Sequence, residues 1–197
     1  MSEHEYWSEY YKKQVVKKEP SLFAQFIQTH FKDSISTILE VGSGDGRDAY
    51  YLGEKYKVMA LDIANKPENT ENCTFQKKSM ASLSGSYDLL YSRFSLHSIS
   101  EEIEDYVLQY ALHYCGSIAF EVRSVKDELA SDRNKQNESR AATSYASAHY
   151  RRFFDLENIK QKMQRIGFEV TLAEESNEFA PYKDQNPYCI RIIAHKK

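Results

Sequence analysis

The clearest chemical signal in the chain is Ile38-Leu39-Glu40-Val41-Gly42-Ser43-Gly44-Asp45-Gly46-Arg47. An apolar run from Thr37 to Val41 enters glycines at alternate positions, and the mixed segment Arg47 to Tyr56 reads as a helix. Glycine serves such a turn twice: it accepts positive φ, and its missing Cβ lets a ligand lie against the backbone. Amides opening the next helix lack intrahelical partners and sit at its positive end, so a carboxylate or phosphate can dock there. A dinucleotide fingerprint G-x-G-x-x-G would need its third glycine where Arg47 stands.

A second anchor follows. Lys57 to Ile63 is a short buried-type strand closing on Asp62, sixteen residues past Gly46. A carboxylate at the tip of a second strand can accept both hydroxyls of a ribose. With E-x-G-x-G-x-G ending one strand and Asp62 ending the next, the chain resembles the class I S-adenosylmethionine-dependent methyltransferases.

That resemblance implies S-adenosylmethionine as cofactor and S-adenosylhomocysteine as product. It assigns Gly42, Ser43, Gly44 and Gly46 to the methionine portion, with Glu40 positioning the turn, and Asp62 with Ile63 to the ribose. Where related enzymes carry an acid for the adenine amino group, this chain has Ser79, so adenine recognition falls to backbone groups of Ser79 and Met80. Arg47-Asp48-Ala49 also resembles the small-molecule branch that includes the tellurite- and thiopurine-type enzymes.

On the acceptor side, Tyr87 to Tyr91 reads as a fourth strand, opened by a structural Asp88 and leading to Ser92, Arg93 and His97. By resemblance Tyr91, Ser92, Arg93 and His97 face the transfer centre, Tyr91 toward the cofactor and Arg93 toward the substrate. A hydroxyl acceptor must lose a proton, which His97 or His149 can take. A phosphate or carboxylate oxygen is already anionic and needs only orientation.

Arg123, Lys126, Tyr150, Arg151 and Arg152 stand at the two ends of a long polar insert through residues 129 to 148, with Arg140 inside it. Guanidinium groups grip phosphate or carboxylate in a bidentate way, which points to a small anionic substrate, a metabolite or glycan precursor. The plain alternative is a solvated loop pairing with Asp127, Glu128 and Asp132. In the N-terminal arm Tyr6, Trp7, Tyr10 and Tyr11 share a helical face, either as a lid whose rings attract a sulfonium and border the substrate, or as a cap on the core.

These groups need a frame. Pro20 and Ser21 break the arm before a second amphipathic helix through Phe31. Cys73 to Gln76 is a third strand. Ser100 caps a helix ended by Gly116, Ser117 to Val122 is a fifth strand, and Asp155 caps a helix stopped by Gly167. Phe168 to Ala173 and Tyr188 to Ala194 are strands six and seven, the last antiparallel, so the expected fold is a Rossmann-like α/β sheet of seven strands with helices on both faces.

With 197 residues, one α/β domain spanning 1–197 is expected: helical arm 1–33, cofactor half 34–122, substrate-side insert 123–154, and closing helix and strands 155–197. A net charge of −3 and a pI near 6.1 argue against a general nucleic-acid binder. No apolar run reaches membrane-span length and the N-terminus does not read as a signal peptide, so a cytoplasmic enzyme is expected. Cys73, Cys115 and Cys189 lack metal-site spacing, so no metal is expected. A protein or nucleic-acid methyltransferase and a non-catalytic cofactor-binding partner remain as alternatives, and the sequence leaves the oligomeric state open.

Overall fold

The computed structural model describes residues 5, 8–9, 19–64, 66–131, 143–144, 150–182 and 185–197. Tyr6, Trp7, Tyr10, Tyr11, Arg140 and His149 lie outside these residues, and with them the arm's aromatic face and one of the two candidate bases.

Helix α1 (Leu22–Phe31) starts where Ser21 turns its hydroxyl back to accept the amide of Ala24. It leads to β1 (Thr37–Val41), α2 (Arg47–Leu52), β2 (Lys57–Asp62) and β3 (Cys73–Lys77). Then come β4 (Tyr87–Arg93), a 3₁₀ turn (Leu96–Ser98), α3 (Glu101–Tyr114) and β5 (Cys115–Arg123). A short α4 (Glu128–Ser131) and the two-stranded pair β6 (Thr143–Ser144) and β7 (Arg151–Arg152) precede α5 (Leu156–Ile166), β8 (Phe168–Ser176) and β9 (Cys189–Lys196).

Seven strands form one sheet in the order β3-β2-β1-β4-β5-β9-β8, parallel from β3 to β5 and antiparallel at β9. Parallel strands buried on both faces need helical crossovers, and the strand order reverses between β1 and β4. A crevice opens at the carboxyl ends of the strands at such a reversal. One apolar layer, with Leu39, Leu90, Val107, Phe120 and Ile192, packs under α3 and α5; the other, with Phe23, Ile27, Ala49, Phe75 and Tyr91, packs under α1 and α2.

Strands β4, β5 and β8 run longer than the sequence reading, and two helix ends differ from it. α2 stops at Leu52; Gly53 fits under Cys73 Sγ where any Cβ would collide, and residues 53–56 turn the chain before β2 begins at Lys57. Gly116 does not end α3 but already lies in β5, its missing Cβ facing the Asp88 carbonyl at 3.1 Å. Ser100 and Asp155 cap their helices as expected, accepting from the amides of Ile103 and Asn158.

Asp88 is structural. Its Oδ2 accepts from the amides of Ser36 and Thr37, at 2.8 Å each, and from the Thr37 hydroxyl at 3.0 Å, fixing the entry to β1. The amide bond from Ser36 holds its pKa below the ordinary value against the opposing effect of burial. A carboxyl whose folded pKa is depressed stabilises the fold above its unfolded pKa and loses that contribution as pH falls through the folded value. Asp88→Ala should therefore cost about 1–3 kcal/mol in urea unfolding at neutral pH, and Asp88→Asn should flatten the acid limb of a stability–pH curve.

Candidate active site

The turn after β1 is built from three left-handed glycines, with φ of 76° at Gly42, 57° at Gly44 and 80° at Gly46. A side chain at Gly42 would run into Ser95, whose hydroxyl donates to the Val41 carbonyl at 2.7 Å from beneath the turn. One at Gly46 would come within 2.8 Å of the Phe75 ring. At Gly42 and Gly46 the close approach that requires glycine is thus by the protein's own side chains.

The turn's amides are likewise engaged internally. Gly42 and Ser43 donate to the Leu61 carbonyl at 2.8 and 3.0 Å, Gly46 donates to the Ser43 carbonyl at 2.9 Å, and Gly44 donates to Asp62 Oδ2 at 2.9 Å. The amides opening α2, where the sequence reading put an anion, are a separate set, with Arg47 donating to Asp45 Oδ1 at 3.4 Å; the turn itself does not present open donors from these four residues. Instead it presents carboxylates: Glu40, Asp45, Asp48 and Asp62 all line one cleft of about 1060 Å³.

Glu40 is 3% exposed, and its Oε2 and the Ser43 hydroxyl are buried without a hydrogen-bond partner among the described residues. Burial, then the charges of Asp48, Asp45 and Asp62, push the Glu40 carboxyl well above the usual range. Asp62 has its other oxygen, Oδ1, accepting from Ala64 at 2.8 Å, and Ile63, Ser79 and Met80 continue the lining.

Asp48 joins this loop to the N-terminal helix. Its two carboxylate oxygens accept the amide and hydroxyl of Ser21, each at 2.7 Å, and Oδ2 also accepts the Tyr91 hydroxyl at 2.8 Å. Tyr91, expected at the cofactor, is fully buried, stacked on Phe23 and absent from the cleft lining. Burial and the Asp48 charge keep its phenol neutral, so it can only donate there. Gly46 also lies outside the lining, turned toward Phe75.

The opposite wall carries arginines. Arg93 from β4, Arg123 from β5 and Arg151 from β7 line the cleft, with His97 and Tyr150. Arg93 Nε donates to Glu121 Oε1 at 3.0 Å, its one hydrogen-bond partner among the described residues, and its guanidinium lies 4.4 Å from the Phe94 ring centroid. Glu121 is fully buried and accepts Arg191 Nε on its other oxygen at 2.7 Å. Arg123 Nη1 donates to Asp127 Oδ2 at 2.7 Å.

Two expected members of this group are elsewhere. Lys126 pairs with Glu175 and Arg152 with Glu104, and neither lines the cleft, because each has a buried carboxylate closer at hand on the sheet edge or on α3. Cations also stand on the acidic wall: Arg47 lies 3.7 Å from Asp48 and Lys78 donates to Ser84, so both are drawn into local contacts.

Sequence reasoning missed Ser95, Phe94 and the structural reach of Asp48. Phe94 has φ of 55°, an uncommon conformation for a bulky residue that costs on the order of 1–3 kcal/mol and clusters at functional sites. No residue type at position 94 announces it. Phe179, Pro181 and Tyr182, from the connection between β8 and β9, complete the rim. Among the described residues no group of His, Cys, Asp and Glu could hold a metal ion, and no helix is long and apolar enough to cross a membrane.

The chain matches the family model described as Methyltransferase domain over residues 15–173. It belongs to that family, and its sheet order and glycine turn are those of a class I, S-adenosylmethionine-dependent methyltransferase. No curated protein matches it in sequence. Among solved structures it is similar to the 1,6-didemethyltoxoflavin-N1-methyltransferase of Burkholderia thailandensis, with TM-score 0.72 and 16% identity over 100% of this chain and 91% of that one. A putative S-adenosylmethionine-dependent methyltransferase of Listeria monocytogenes gives TM-score 0.64 and 18% identity over 89% and 99%. The glycopeptide N-methyltransferase MtfA gives 0.67 and 14% over 91% and 97%.

Gly42→Ala should destabilise the protein by about 1–3 kcal/mol in urea unfolding, since both φ and the Ser95 contact oppose a methyl group. Asp62→Ala should keep the fold, by far-ultraviolet circular dichroism, yet weaken S-adenosylhomocysteine binding roughly tenfold or more, the loss of about one charged hydrogen bond.

Proposed function

We propose that this protein moves a methyl group from S-adenosylmethionine to a small acceptor carrying a carboxylate or phosphate, within the small-molecule branch of its family. The observation that carries the reading is the division of charge across one cleft. Carboxylates from β1, the glycine turn, α2 and β2 line one wall, and guanidiniums from β4, β5 and β7 line the other.

S-adenosylmethionine supplies an electrophilic methyl group on a cationic sulfur. Its ammonium suits the orphaned Glu40 oxygen and the Ser43 hydroxyl, its ribose suits Asp62, and its adenine suits the backbone near Ile63, Ser79 and Met80. The cofactor bound to the Burkholderia structure is S-adenosylhomocysteine, beside a small acceptor, and a cleft of about 1060 Å³ has room for such a pair.

On the acceptor side Arg93 is held through Nε by Glu121 and braced on Phe94, so its outer nitrogens are oriented before any ligand arrives. A fixed guanidinium fork orders a planar anion at low entropic cost. Arg123 and Arg151 add positive charge on the same wall. The protein's contribution to rate is alignment of acceptor, methyl and leaving sulfur in a charged cleft.

Calorimetric titration with S-adenosylmethionine and S-adenosylhomocysteine should give affinities on the order of micromolar, with no heat from NAD; a folded protein that binds neither would refute the reading. In a screen of carboxylated and phosphorylated metabolites with methyl-labelled cofactor, Arg93→Ala should raise KM for the accepted substrate roughly 10- to 100-fold while S-adenosylhomocysteine affinity stays unchanged.

A further inference from the structure

Two buried residues, Glu121 on β5 and Arg191 on β9, adjoin the arginine-lined wall without lining the cleft themselves. Glu121 divides its carboxylate: Oε1 accepts Arg93 Nε at 3.0 Å and Oε2 accepts Arg191 Nε at 2.7 Å. A guanidinium and a carboxylate left to themselves favour two parallel bonds, which engage both oxygens and two nitrogens of the arginine. Neither arginine makes that pair here, because each oxygen is already claimed by the other's neighbour.

Charge balance does not call for the second arginine. Arg93 alone would neutralise Glu121, so the trio holds one positive charge in excess at a buried place, where like charges repel. What Arg191 adds is a claim on Oε2.

The direction of Arg191 is set by other elements. Its Nη2 donates to the Phe179 carbonyl at 3.0 Å, and its guanidinium lies 4.2 Å from the Phe179 ring centroid and 5.2 and 5.5 Å from those of Phe23 and Phe26. Helix α1 and the β8–β9 connection therefore hold Arg191 independently of Arg93.

With Oε2 vacated, Glu121 can rotate about its terminal bond and take a second nitrogen of Arg93. That nitrogen would turn from the cleft to the buried carboxylate. We infer that Arg191 is a positioning residue: by occupying Oε2 it restricts Glu121 to Arg93 Nε and keeps the outer nitrogens of Arg93 for an anion in the cleft. Which anion they take rests on the methyl-transfer reading above; the division of Glu121 does not.

The test uses protein labelled with ¹⁵N in its arginine side chains, examined by proton–nitrogen correlation and titrated with inorganic phosphate, with and without S-adenosylhomocysteine. Signals are assigned from Arg93→Lys and Arg191→Lys. In the unaltered protein without phosphate, the Nε–H signals of Arg93 and Arg191 should both be shifted downfield by the shared carboxylate, while the outer nitrogens of Arg93 rotate freely. An outer nitrogen of Arg93 slowed by a second bond to Glu121 in that state would overturn the inference.

In Arg191→Met, with its fold checked by far-ultraviolet circular dichroism, one outer nitrogen of Arg93 should become slow. Phosphate affinity read at the Arg93 signal should then fall about tenfold, the loss of about one charged hydrogen bond, with S-adenosylhomocysteine affinity unchanged. Arg191→Lys keeps a donor for Oε2 and should return Arg93 toward its unaltered state. Unchanged Arg93 signals and phosphate affinity in Arg191→Met, or a loss as large in Arg191→Lys, would overturn the inference. If Arg191→Met does not fold, the spectrum of the unaltered protein decides. Failure of the unaltered protein to bind S-adenosylhomocysteine or phosphate would strike instead at the methyl-transfer reading, and the arginine spectra would still show how Glu121 is shared.

Discussion

The cofactor end of this molecule depends on three amides meeting the end of one strand. Gly42 and Ser43 donate to the Leu61 carbonyl and Gly44 donates to the Asp62 carboxylate, so the loop after β1 is closed onto β2. Backbone donors buried in a loop must find partners, and satisfying them this way leaves the turn's acidic side chains as its face to the cleft. The three positive φ values and the Ser95 contact under Gly42 are consequences of that closure. An acidic wall results, because these amides turn inward and the side chains of Glu40, Asp45, Asp48 and Asp62 line the cleft.

From this loop the order spreads through Asp48. Its carboxylate reaches Ser21, the cap of α1, and Tyr91 in the middle of β4. The N-terminal helix, the glycine turn and the strand leading to the arginine-lined wall therefore share one buried hydrogen-bonded group. On the far side, Glu175 holds Ser124 and Lys126, and Asp127 holds Arg123 and the Tyr188 amide, fastening the chain after β5 to the β8–β9 pair.

Much of the architecture was legible because local signals agreed with one another. The apolar runs at Thr37–Val41 and Lys57–Asp62, the caps at Ser100 and Asp155 and the stop at Gly167 each matched their elements. The arginine-lined wall was read less well for a physical reason: residue type shows that an arginine is charged but not which carboxylate will claim it. Arg93 and Arg123 reach the cleft, while Arg152 is taken by Glu104, a residue 48 positions away in sequence. Tyr91 was misplaced because a strand alternates faces and its ring belongs to the layer under α1. The strained backbone of Phe94 leaves no trace in composition at all.

Arg93, Glu121 and Arg191 are directly paired positions on three neighbouring strands, β4, β5 and β9. This ladder crosses the boundary where the sheet changes from parallel to antiparallel. A slip of β9 by one residue would turn Arg191 to the opposite face and set an isoleucine, Ile190 or Ile192, against a fully buried carboxylate. Hydrophobic alternation does little to fix this strand, since Cys189 to Ala194 is buried on both faces. The charged trio thus acts as a key for strand alignment: the same ionic contact that steadies Arg93 also dictates how the last strand is threaded into the sheet.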